Sequence, residues 1–73
     1  MAPDITILFN DREPGTRVAL DVLRASGLAF TTVAVVRSPS VLIVDGEPVA
    51  YGEAAITQGV HVLVNRSRRG ALA

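Results

Sequence analysis

Two β-branched, apolar runs enclose a helix-patterned segment near the start of the chain, and this arrangement restricts the fold more than any other feature. Ile5-Thr6-Ile7-Leu8-Phe9 is apolar on both alternations, as in a strand covered on both faces. From Thr16 to Ser26, Val18, Ala19, Leu20, Val22 and Leu23 recur at three and four, while Asp21 and Arg24 lie off that stripe. Gly27 follows as a left-handed C-cap residue, with Leu28 placed to fold back on the last turn. Ala29 to Val36 is again rich in β-branched residues, namely Thr31, Thr32, Val33, Val35 and Val36. Strand, helix and strand in this order predict a right-handed crossover with the two strands parallel.

Downstream, Arg37-Ser38-Pro39-Ser40 interrupts, and Val41-Leu42-Ile43-Val44 resumes as a third strand closed by Asp45-Gly46, a hairpin signal. Glu47 to Tyr51 then reads as a fourth strand, antiparallel to the third, and Pro48 argues that it lies at an edge or starts late. Gly52 to Gln58 has the pattern of a short helix stopped by Gly59. In Val60 to Val64 the β-branched alternation inclines the reading to a strand, although Ile56, Val60, Leu63 and Val64 also line one helix face. Residues 66–73 read as a flexible basic tail beyond a single domain of residues 1–65.

Size makes this architecture marginal. For 73 residues and 7.7 kDa, surface scaling leaves roughly 4,300 Å² exposed out of about 11,200 Å². Chains this small usually add a disulfide, a metal or a partner subunit. This one has no cysteine and one histidine, His61, which excludes thiol catalysis and cysteine-ligated metal centres and leaves a partner as the available support. Seven arginines, without a lysine, balance seven acids, so the chain as a whole is not built for polyanions. No apolar stretch approaches the ~20 residues of a bilayer span. Met1-Ala2-Pro3-Asp4 lacks the basic start of a secretory signal, so the expected location is cytoplasmic.

The order of elements, with Ser38-Pro39-Ser40 before the third strand and Asp45-Gly46-Glu47 after it, resembles the thioredoxin-like superfamily, in particular small glutaredoxin-like proteins. The resemblance covers roughly residues 4–58. Its Cys-Pro-x-Cys position falls on Glu13-Pro14-Gly15-Thr16, where the proline remains and both sulfurs are replaced. Pro39 matches the family's cis-proline, and Gly52-Glu53 its Gly-Asp step at the last helix. What the resemblance implies is a minimal α/β fold: a four-stranded mixed sheet in the order β-α-β-β-β-α, with one main helix. The family's second helix has no room between Val36 and Pro39. Since a trans chain covers at most ~3.6 Å per residue, three or four residues still reach a neighbouring-but-one strand ~10 Å away. One face of the sheet, flanked by Val, Ile and Leu, is then expected to be bare, as surfaces that contact proteins are.

The candidate ligand- or partner-binding residues are Glu13, Pro14, Gly15, Thr16, Arg37, Ser38, Pro39 and Ser40. The first four open a helix, where free N–H groups and the dipole attract an anion, although Thr16 or Glu13 capping the helix explains them as well. Thr16 with Glu13 has no histidine or lysine to activate it, so no catalytic residue is assigned and the chain reads as a non-enzyme. Pro39, if cis, exposes the backbone of Ser38 and Ser40 for an extended peptide or a glutathione-like ligand, as the resemblance implies. Arg37 presents a planar fork to a carboxylate, or is merely solvated. His61 has no second ligand for a metal, Tyr51 reads as core or interface packing, and Arg66, Arg68 and Arg69 read as solubilising charges rather than a nucleic-acid contact. The expectation is a non-catalytic protein-interaction module, a small subunit or homodimer, without cofactor, metal or membrane contact. The alternative is a small-anion or glutathione-like ligand site in an accessory role to an enzyme complex.

Overall fold

The computed structural model describes residues 3–72, and their side-chain surroundings to residue 68. Its elements are β1 (Ile5–Asn10), α1 (Gly15–Ser26), β2 (Thr31–Val35), β3 (Val41–Val44), β4 (Glu47–Tyr51) and α2 (Glu53–Leu72). The four strands form one mixed sheet in the order β2-β1-β3-β4. β1 runs parallel to β2, with Leu8 opposite Val33, and antiparallel to β3, with Leu8 opposite Val41. The expected crossover is present, and the short link from β2 to β3 does pass beyond β1.

Local chemistry sets the boundaries of these elements. α1 ends at Gly27, whose φ of 81° is left-handed and whose amide returns to the Arg24 carbonyl at 3.2 Å. Leu28 then packs against the core. The β3–β4 hairpin turns on Asp45 and Gly46 with φ of 53° and 84°, the pair of left-handed residues that matches the twist of the flanking strands. β4 is an edge strand, as Pro48 requires, and a register shift interrupts its pairing between Leu42 and Ile43.

One core holds the molecule together. Ile5 and Ile7 of β1, Leu42 of β3 and Ala50 of β4 meet Ala19, Leu20 and Leu23 of α1 and Ile56, Val60 and Val64 of α2. Both helices therefore cover the same side of the sheet. Residues that alternate with these in register point the other way, and neither helix covers them: Thr6 and Leu8 of β1, Val33 and Val35 of β2, Ile43 of β3 and Tyr51 of β4, with Val41 buried among its strand neighbours.

The expectation of a short second helix and a strand at Val60 to Val64 is corrected, because one 20-residue helix runs through both. Gly59 does not stop it. A mid-helix glycine costs about 1 kcal/mol, whereas burying an aliphatic side chain returns about 1.5–3 kcal/mol, and Ile56, Val60 and Val64 are all buried. Val62 decides between the two periods: it would share a strand face with Val60 and Val64, but it is 48% exposed on the outside of the helix. Residues 66–72 continue this helix rather than forming a separate tail, and Arg66 and Arg68 are exposed on it. The side chain of Arg69 and the whole of residue 73 lie outside the described residues.

Candidate functional site

Three loops converge where β1 ends, β3 begins and β4 ends. They carry residues 10–15, 38–40 and 52–53, and so all the sequence-derived candidates except Thr16, which follows in the first turn of α1, and Arg37, which precedes Ser38. Asn10 closes β1. Its side-chain carbonyl accepts the Arg12 amide at 2.9 Å, and its side-chain NH2 donates to the Ser38 carbonyl at 2.8 Å. Such a turn held by its own asparagine is a common strand terminus, but this one also fixes the distant Ser38–Ser40 loop.

Ser40, wholly buried, is the hub. Its hydroxyl accepts the Asn10 amide at 3.0 Å and its carbonyl accepts the Gly52 amide at 2.8 Å. Its own amide donates to Oε1 of Glu13. That hydrogen bond is the main reason the Glu13 carboxyl lies below its ordinary value of 4.5; burial opposes the shift, and the Ser40 hydroxyl and the Glu53 amide add to it. Glu13, placed just before α1, thereby reaches the start of α2.

Glu53 returns the favour in the opposite direction. As the first residue of α2, it accepts the Gly15 amide on Oε2 at 2.8 Å, so it caps α1 from outside. The helix therefore has no cap from Thr16 or from the Pro14 position, contrary to expectation. Gly15 is required by close approach, since a Cβ there would stand 2.9 Å from Oε2 of Glu53. Each carboxylate thus acts away from its own position in the chain: Glu53 caps α1, and Glu13 holds the Ser40 amide.

This exchange uses the groups on which an anion site was expected to rest. The Gly15 amide goes to Glu53 and the Ser40 amide to Glu13, while the Thr16 and Arg17 amides go to the Glu13 and Pro14 carbonyls at 3.1 Å each. No cis peptide bond is present among the described residues, so the bond before Pro39 is trans, unlike the family feature it matches. Arg37, Ser38 and Pro39 are exposed beside the network. Arg37 makes no ion pair with it.

The hydroxyls are poorly placed for chemistry. Thr16 is fully buried and its Oγ1 has no hydrogen-bond partner, so no base stands within reach of it. No group of three or more His, Asp or Glu residues is gathered for a metal among the described residues. His61 is exposed on α2, and Tyr51, expected in a core or interface, is 60% exposed on the uncovered sheet face. No helix among the described residues is long and apolar enough to cross a membrane.

Sequence reasoning missed Asn10 and Glu53 as members of this network. Asn10 carried a signal, an asparagine between a strand and a turn. Glu53 carried little, because its contact spans 38 residues of sequence.

Comparison with protein-family models, with curated proteins and with solved structures finds no match to this chain.

Proposed function

We propose that the chain is a non-catalytic, thioredoxin-like protein-interaction module whose uncovered sheet face is closed by another polypeptide, in a homodimer or as a small subunit of a larger assembly. The observation that carries this reading is the apolar composition of that face: exposed Val33 and Tyr51 and half-buried Leu8, Val35 and Ile43 lie around buried Val41, with no helix or strand of the described residues stacked over them. Contiguous apolar surface of this kind marks protein contacts. The accessible area of 4939 Å² also exceeds the ~4,300 Å² that a self-sufficient monomer of this mass exposes.

The thioredoxin-like part of the reading draws support from the element order and from Pro14 and Pro39 in their expected loops, and departs from the family in lacking a helix between β2 and β3. The competing reading, a small anion held by the Gly15 and Ser40 amides, is disfavoured because Glu13 and Glu53 already occupy them.

Ile43→Lys on the uncovered face and Val18→Lys, on the 58% exposed outside of α1, separate the readings. Recovered under native conditions and sized by light scattering, the wild type and Val18→Lys are expected in particles heavier than 7.7 kDa, and Ile43→Lys as a folded monomer. A wild type that stays a folded monomer both in its host extract and when pure contradicts the proposal. The Gly15 and Ser40 amide signals are expected not to move on titration with glutathione or phosphate; saturable shifts there would favour the anion site.

A further inference from the structure

The two edges of the sheet are built differently. β4 carries the features that discourage further strand pairing: Glu47, Pro48 and a register shift. β2 carries none of them. Its sequence, Thr-Thr-Val-Ala-Val, has no charge, proline or glycine, and its pairing with β1 is regular over all five residues. Four of those residues are exposed and the fifth is half-buried. On the helix side, α1 stops short of β2 and leaves Thr32 and Ala34 exposed beside a groove of about 390 Å³ lined by Phe9, Arg17, Leu20, Asp21 and Arg24. A strand of this composition, with unpaired backbone groups along one side, is a template for another strand.

We propose that β2 pairs antiparallel with β2 of a second copy, about a two-fold axis at Val33, to give a continuous eight-stranded sheet. The inference rests on the interaction-module reading and adds to it a second contact, at the β2 edge, whose occupant is a second copy; edge pairing by itself leaves the sheet face open. Three observations favour a second copy. An isologous contact places one strand against itself, and β2 has no charge to oppose its own copy. Centred on Val33, the register sets Thr31 against Val35, Thr32 against Ala34 and, just outside the strand, Phe30 against Val36. This register gives exposed Val36, at 79%, a partner in Phe30, and sets Val33, at 46%, against its own copy. Finally, formal net charge is zero, so two copies approach without long-range repulsion. Joined in this way, the two uncovered faces become one apolar strip with Val33 of each copy at its centre. A five-residue ladder is a small interface, so the dimer dissociates on dilution.

The absence of cysteine makes the register directly testable. In an antiparallel pair, opposed residues have Cα atoms about 4.5–5.5 Å apart, within disulfide range. With diamide as oxidant, Val33→Cys is expected to form a covalent dimer, Thr31→Cys alone not to, and an equal mixture of Thr31→Cys with Val35→Cys to form the mixed dimer. Without oxidant, light scattering at about 1 mM chain is expected to give twice 7.7 kDa for the wild type, and Val33→Lys the monomer with its helical circular dichroism retained. If Val33→Lys fails to fold, the cysteine set decides. A monomeric wild type at that concentration, or crosslinking by Thr31→Cys as complete as that by Val33→Cys, overturns the proposal. A chain that is monomeric when pure, yet in heavier particles in its host that Ile43→Lys abolishes, overturns self-pairing and leaves the interaction module standing.

Discussion

Glu13 and Glu53 show how a chain with little core organises its loops. Glu53, at the start of α2, caps α1, and Glu13, just before α1, holds the Ser40 amide, so the pair tethers α1, α2 and the Ser40 loop without any contribution from apolar area. The pH dependence follows from the lowered Glu13 carboxyl. Because its folded value lies below its unfolded one, the stabilisation is fully present above about 4.5 and is lost as the pH falls through the folded value. Thermal melts from pH 7 to pH 3 are expected to show an acid-side loss in the wild type that Glu13→Gln reduces. Parallel curves for the two proteins would remove Glu13 from the account. At this scale the sequence was half legible. Glu13, Pro14, Gly15 and Ser40 were identified from their neighbours, but as a place for an outside anion, since nothing local to Glu53 reveals that it turns towards Gly15.

At the scale of elements, β1, α1, the hairpin and the β4 edge follow from short-range rules: β-branched runs, a left-handed glycine after α1, Asp-Gly between β3 and β4, and Pro48 in β4. α2 did not follow, because two local signals, Gly59 and the β-branched Val60, Val62 and Val64, both argued against a continuous helix. Packing overrides them. Gly59 has a tertiary reason for its place, since a Cβ there would lie 2.8 Å from Cδ2 of Leu42 and 3.8 Å from Cβ of Ala50. The missing side chain lets α2 close on β3 and β4. In an open helix, Gly59→Ala would gain about 1 kcal/mol. Here overpacking against fully buried Leu42 costs about 1–3 kcal/mol, so urea denaturation is expected to show a net loss of about 1 kcal/mol. A stabilised Gly59→Ala would mean that α2 does not lie as close to the sheet as described.

For the whole molecule, one side of the sheet is covered twice and the other not at all. That imbalance was legible from chain length between Val36 and Pro39, because three or four residues span the gap between strands but leave none for a helix. The open β2 edge was not legible, because the composition of β2 acquires meaning only once it is known to be an edge. The most direct measurement is methyl NMR with a soluble paramagnetic agent at concentrations where the chain is associated. The methyl groups of Val33, Val35 and Ile43 are predicted to be shielded nearly as well as those of core residues Ile7 and Leu42. Broadening equal to that of Val18 and Val62, at every concentration and in the presence of copurifying protein, would contradict the claim that another polypeptide completes this sheet.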